Sequence, residues 1–462
     1  MSGFESVMWE LERDPQLSSA FANLTMFDRP PDRERLRRKM ARATLAVPRL
    51  RQRVVTSANP LERPRWVDDP DFDLDRHLRW TTLGGDGDLR ELHELAATLS
   101  GQPFDRERPL WEFVTIEGLR GGKAAMLQRL HHTITDGEGG IRLSVQFLDF
   151  ERDPPDDPAT ADDVRTSRGD GAGRADASPD GAGSLWERAR DAVGSLASGA
   201  LHAGSEVASL PQRGSELAGV ARSTWRQARV GSRRSTLWTE RSLTRWFGTT
   251  ALSLEQVRTA ARALGGSVND LFITGAVDAA GEVHRAAGHP VEALRVSMPV
   301  STRHDRSAGG NAFSPTQMLA PTGPMAPEER FAALHEILSA VKEERVIGAL
   351  EGAANAASVL PPVAIVRTGQ YLAGSVDFVC SNVRAAPFDL FIGGAAMEAN
   401  YPIGPLAGTA FNLTTMSYRG WLFLGLMVDA AAVPDPEGLL AQLDRSYDAL
   451  LAAGGVTERA RP

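Results

Sequence analysis

Arg129-Leu130-His131-His132-Thr133-Ile134-Thr135-Asp136-Gly137-Glu138-Gly139-Gly140 is the stretch of this chain whose residue types can do chemistry. Two adjacent imidazoles, an aspartate four residues after the second, and three glycines in the next four positions suit proton transfer better than packing. Lys123 to Leu130 is short and mostly apolar and is expected to be a strand. Ile141, Val145 and Leu148 recur at helical spacing, so Gly137 to Leu148 is expected to be a helix. The histidines then stand where a strand ends and a helix begins. Neighbours on extended chain point to opposite faces, so only one of the two rings can look into a cleft. That divergence argues against a metal held by both rings and Asp136, and no other His/Cys/Asp cluster has ligand spacing. Two satisfied structural histidines are the plain alternative.

The segment that must position them is Trp111 to Leu119, expected to be a partner strand. Arg120-Gly121-Gly122-Lys123 joins the two, and a Gly-Gly pair suits a two-residue hairpin because both central residues need positive φ. That loop pairs Arg120 with Lys123, Thr115 with Gln128, Phe113 with Leu130 and Trp111 with His132. The indole of Trp111 is therefore expected beside His132.

At 462 residues the chain is too long for one ordinary core, so two domains or one large pseudo-duplicate are expected. It is 42% hydrophobic and 24% charged, as globular proteins are. The single cysteine, Cys380, excludes an intrachain disulfide and suits a reducing cytosol. Met1 to Pro15 is acidic and lacks the apolar core of a signal peptide. No apolar run approaches the ~20 residues of a spanning helix, so any membrane contact is expected to be peripheral. A net charge of −8 argues against nucleic acid.

Composition divides the chain into residues 1–150, which carry the histidines, residues 151–235, and residues 236–462. In the first part, Asp32 to Arg42 and Leu89 to Leu99 are expected helices, and the chain bends at Pro48 toward a strand. His77 is read as a structural ring at a domain edge rather than an active-site group. From Glu151 to Ser184 the chain is rich in Pro, Asp, Gly and Ser and is expected to be a flexible linker. Arg213 to Arg245 holds eight arginines with Trp225 and Trp238 among them and Trp246 beside them. Such a segment suits an anionic membrane surface or the phosphates of a nucleotide, and equally a solvated arm between domains. In the last part Leu254 to Leu264 is an expected helix, and Ser267 caps the next, with Asn269 and Asp270 in its first turn. Asn269 either donates an amide into the site or simply starts that helix. Arg295 to Arg303 is an expected strand, with Pro299 marking an edge or bulge. Pro327 to Glu344 and Leu439 to Leu451 are expected helices, and Asp377 to Val383, Thr409 to Met416 and Gly420 to Val428 strands. No second His-His-x-x-x-Asp occurs, so the halves would share one site.

His-His-x-x-x-Asp-Gly resembles the signature of the bacterial wax ester synthase/diacylglycerol acyltransferase family, within the superfamily of CoA-dependent acyltransferases and peptide-synthetase condensation domains. Other blocks are similar in the family's order: Val47 to Arg53, Pro109-Leu110-Trp111, Val268 to Phe272, Ser297 to Arg303 with Gly310-Asn311, and Ser381-Asn382-Val383. After the last block the family continues Pro-Gly-Pro where this chain has Arg384-Ala385-Ala386-Pro387, which puts the loop conformation and acceptor choice in question. The resemblance implies a mixed α/β fold of two chloramphenicol acetyltransferase-like subdomains with a tunnel between them. It implies transfer of a fatty acyl group from acyl-CoA, a co-substrate rather than a cofactor, to diacylglycerol or a long-chain alcohol. His132 would be the base and Asp136 would hold its loop. His131, Gly137, Trp111 and Asn269 would support the site, and Pro109, Leu110, Asp270, Arg303, Ser381 and Asn382 would face substrate. No metal is implied. Cytoplasmic location, with contact at the inner membrane or lipid bodies, would follow. A condensation-like enzyme using a carrier-protein thioester and a non-catalytic lipid-surface protein are the rival readings.

Overall fold

Two six-stranded sheets carry the fold, both within a unit formed by Met1–Pro155 and Ser223–Pro462. The computed structural model describes residues 1–57, 62–135, 140, 143–155, 234–301, 313–343 and 360–462. The expected linker and most of the arginine-rich segment lie outside the described residues.

In chain order the N-terminal half gives α1 (Gly3–Leu11), β1 (Ala20–Phe27), α2 (Arg33–Ala46), β2 (Gln52–Val55), β3 (Arg65–Asp68), β4 (Leu78–Thr82), α3 (Leu89–Ser100), β5 (Trp111–Glu117) and β6 (Ala124–His131). The C-terminal half begins with β7 (Arg245–Ser253), α4 (Leu254–Ala263), α5 (Val268–Ala286), β8 (Ala293–Ser301), β9 (Phe313–Pro321), α6 (Pro327–Glu343) and α7 (Pro362–Ala373). It ends with β10 (Phe378–Arg384), β11 (Phe391–Ile392), β12 (Ala395–Ile403), β13 (Phe411–Tyr418), β14 (Trp421–Asp429) and α8 (Pro436–Ala453).

The first sheet runs β11-β12-β1-β6-β5-β4 and the second β7-β14-β13-β10-β8-β9. Both are mixed: β4–β5, β10–β13 and β8–β10 are parallel and their other pairings antiparallel. Local chemistry starts the helices where expected. Asp32 and Asp88 each accept a backbone N–H at the starts of α2 and α3, and Ser267 and Asp270 form a reciprocal capping box on α5.

The first sheet is not built from the N-terminal half alone, because β12 pairs with β1 along its length and supplies a strand from residues 395–403. A buried polar chain then ties one sheet to the other. Gln128 donates to the Thr25 hydroxyl at 3.1 Å, Thr25 to Asn400 Oδ1 at 3.0 Å, and Asn400 Nδ2 to the Met416 sulfur on β13 at 3.1 Å. Each donor gives up water for a protein partner, which keeps the crossing in one register.

Three expectations need correction. The β5–β6 hairpin is longer than a Gly121-Gly122 turn, so Trp111 faces Leu130, Phe113 faces Gln128 and Thr115 faces Met126. Gly118 turns the chain early at φ 87°, and the Arg120 N–H is taken by the Gly87 carbonyl at 2.9 Å. The loop is shaped by its tertiary neighbour. The shift is two residues, so every side chain keeps its expected face. Pro299 sits in β8, which is not an edge strand; but β8 meets β10 only at Val296 and Ser297, leaving Pro299 beyond that ladder. Trp238 is core rather than surface, 1% exposed and edge-on to His284 and Phe411.

Candidate active site

Strand β6 delivers the histidines. Its eight residues are all buried, held between β1 and β5, so the end of the strand is a rigid platform. Main-chain bonds fix the pair on both sides: His131 N–H donates to the Leu110 carbonyl at 3.0 Å and His132 N–H to the Ser19 carbonyl at 3.2 Å.

The two side chains part as alternation requires. His131 is 1% exposed, with Nε2 at 2.8 Å from Glu12 Oε1 and Nδ1 at 2.7 Å from the Thr133 hydroxyl. His132 is partly exposed, and its ring lies against Phe21 with centroids 4.5 Å apart. The rings meet different partners and do not form a shared ligand set. Among the described residues no group of His, Cys, Asp and Glu is placed to hold a metal.

Burial pushes the Glu12 carboxyl up, but hydrogen bonds from His131 and the Ser19 N–H outweigh it and hold the group below the usual glutamate range. It is therefore a carboxylate at neutral pH. Nothing local in the sequence marks Glu12, the C-cap of α1, which lies 119 residues from His131. Phe21 escaped notice for the same reason: β1 meets β6 only in three dimensions.

Trp111 does not take the place expected beside His132; Phe21 does. The indole is 1% exposed, stacks on His77 at 4.6 Å and donates to the Leu50 carbonyl at 2.9 Å. Burial lowers the His77 pKa, and its Nδ1 lies 2.7 Å from the Trp111 carbonyl, a structural ring as read from sequence. Pro109 and Leu110 are buried at the foot of β5, with the Leu110 carbonyl anchoring His131. Asp136, Gly137 and Arg303 lie outside the described residues. Gly140 is described, and a β-carbon built there would reach Phe21 and Thr135 at 4.0 Å.

The second half gathers Asn269, Asn382 and Met298. Asn269 stands in the first turn of α5, where its Oδ1 accepts from Asn382 Nδ2 at 3.3 Å and its Nδ2 lies 3.8 Å from the Met298 sulfur. A thioether is a weak acceptor, so this amide gives up little when another oxygen arrives. Ser381 is half-buried beside them and Asn382 exposed. The loop that replaces Pro-Gly-Pro is pinned to the β13–β14 hairpin, with Ala385 N–H on the Ser417 carbonyl at 3.1 Å. Asp270 points elsewhere: it is fully buried, caps α5 through Ser267 and accepts from His335 at 2.8 Å.

A cleft between the sheets is lined by Pro15, Ser18 and Phe21 on one side and Arg245, Leu406 and Met427 on the other. A second cleft, of about 440 Å³, lies between α3, β7 and α8 and shares the Arg245 wall. That volume falls in the range of small-molecule sites.

A mixed α/β pair of sheets with a histidine on the open side of a buried strand end defines a chloramphenicol acetyltransferase-like architecture. Solved structures agree on the fold. The wax ester synthase/diacylglycerol acyltransferase of Marinobacter aquaeolei VT8 superposes with a TM-score of 0.64 at 21% identity, covering 98% of each chain. The first condensation domain of the calcium-dependent antibiotic synthetase gives 0.61 at 16% identity, covering 100% of this chain and 97% of that one. Residues 1–272 match the wax ester synthase/diacylglycerol acyltransferase catalytic domain, and residues 309–451 the family's C-terminal domain. A putative diacylglycerol O-acyltransferase of Mycobacterium tuberculosis is 34% identical over 98% of this chain and 91% of its own length. The chain belongs to the wax ester synthase/diacylglycerol acyltransferase family, and it is an acyltransferase.

Proposed function

We propose that this acyltransferase moves a fatty acyl group from acyl-CoA to the hydroxyl of diacylglycerol or of a long-chain alcohol, with His132 as general base. The observation that carries the reading is the contrast between the two rings. His131 is locked in place, whereas His132 leans on Phe21, which lines the cleft between the sheets.

A ring nitrogen of His132 takes the acceptor's O–H proton as that oxygen attacks the thioester carbonyl. The tetrahedral oxyanion collapses, the C–S bond breaks, and the same proton passes to the leaving thiolate, giving free CoA and an ester. Positioned proton transfer of this kind contributes about 10²–10⁴-fold. No serine or cysteine nucleophile is required. Asp136 is assigned to holding the loop after His132, as the family resemblance implies. The backbone N–H groups near Gly137 to Gly140 and the Asn269 amide are the candidate oxyanion donors, and the Asn269 amide nitrogen is engaged by a weak sulfur acceptor at 3.8 Å. Asn269→Ala is expected to lower kcat about 10²-fold, as loss of one such donor does, with the thermal midpoint unchanged. Peripheral contact with membrane or lipid bodies belongs to this reading, since both acceptors are water-insoluble.

The test offers the purified protein palmitoyl-CoA with diacylglycerol, with hexadecanol and with neither, and palmitoyl-acyl carrier protein in parallel. Triacylglycerol or wax ester should form from the CoA thioester, with CoA release tied to the acceptor. Transfer from the carrier protein and none from palmitoyl-CoA would overturn the reading in favour of condensation-like chemistry.

A further inference from the structure

We infer that Glu12 is a positioning residue for His132, fixing its backbone on both sides through Ser19 and His131. The inference rests on the reading of His132 as the base. One oxygen of Glu12, Oε1, accepts both the Ser19 N–H and the His131 Nε2–H, the latter at 2.8 Å. From there two tethers run to the residue between them. The Ser19 carbonyl accepts the His132 N–H at 3.2 Å, which fixes the peptide before His132. The Thr133 N–H donates to His131 Nδ1 at 3.1 Å, which fixes the peptide after it. A backbone N–H can only donate, so Nδ1 carries the lone pair and Nε2 the proton that Glu12 receives.

Both peptide planes flanking His132 therefore trace back to one carboxylate oxygen. Those planes set the direction of the Cα–Cβ bond, and with it the place of the imidazole. Glu12 is well suited to the task. It is the C-cap of α1, its side chain is 13% exposed, and the His131 ring it holds is 1% exposed. Neither atom of that contact exchanges freely with water. His131, the partner histidine, is thus a spacer that passes the constraint from the first helix to the strand end. Positioning errors near 1 Å cost about 10²-fold in rate even when the chemistry is intact.

Three variants separate reach, charge and relay. Glu12→Gln keeps an oxygen in the place of Oε1 able to accept both N–H groups, and kcat should stay within about 5-fold of wild type. Glu12→Asp keeps the charge but withdraws the oxygen by one methylene, and kcat should fall about 10²-fold. His131→Phe keeps a ring without either nitrogen, and should fall as Glu12→Asp does. In each case KM for palmitoyl-CoA should move less than about 3-fold, because substrate contacts are untouched. Wild-type kcat in Glu12→Asp and His131→Phe would overturn the inference, as would a Glu12→Gln variant no better than Glu12→Asp. His132→Ala is measured alongside: if it stays active the base reading fails, whereas an inactive His132→Ala with a fully active Glu12→Asp fails only the positioning claim.

Discussion

Gly425→Ala is expected to unseat one sheet from the other. Gly425 lies on β14, between Thr414 of β13 and Thr249 of β7, at the point where β12 of the first sheet crosses the second. A β-carbon there would sit 1.9 Å from the Pro402 carbonyl oxygen and 3.1 Å from Phe247. The obstacle is main chain inside a paired strand, so it cannot swing away as a side chain can. Overpacking penalties run about 1–3 kcal/mol and occasionally more, and this substitution belongs at the upper end, about 3 kcal/mol. Gly248 offers the control. A β-carbon there meets the tip of the Trp246 ring at 2.2 Å, a half-buried side chain that can rotate, so Gly248→Ala should cost far less. The comparison is made by urea unfolding of both variants. Acyl transfer should fall with Gly425→Ala at temperatures where it is still folded, because the cleft beside Phe21 takes its far wall from Met427 and Leu406, on either side of the same crossing.

Much of the second half was legible in sequence because its signals are local. Ser267 three residues before Asp270 is a capping box, and α5 begins there. The expected strand Gly420 to Val428 is β14, entered through a two-residue hairpin with Arg419 at φ 49° and Gly420 at φ 80°. At Gly121-Gly122 both residues take the expected positive φ, 76° and 71°, but the register was missed, since Gly118 and the Gly87 carbonyl reshape that loop from outside it. In the site, the strand-end placement of the histidines followed from the short apolar run before them, and their divergence from alternation. Their partners did not. Glu12 and Phe21 reach His131 and His132 through strand pairing and helix packing, contacts that carry no periodic trace. Strand β12 was hidden for a similar reason: it joins a sheet whose other main strands precede it by more than 250 residues, through the ladder with β1 and the buried Thr25–Asn400 contact.

The largest loss of activity is expected at His132. Its side chain is partly exposed and its backbone N–H, which survives substitution, carries the bond to Ser19. Truncation to alanine therefore removes the proton acceptor while leaving the fold's tethers in place. His131 is different, because alanine there would strip the Glu12 carboxylate of one of its donors. A loss of 10³-fold corresponds to about 4 kcal/mol of transition-state stabilisation. The most direct measurement is kcat for acyl transfer from palmitoyl-CoA to the preferred acceptor by His132→Ala and wild type, with thermal midpoints recorded on the same preparations. The account predicts a fall of about 10²–10⁴-fold in kcat with matching midpoints. Transfer by a folded His132→Ala within a few-fold of wild type would contradict it.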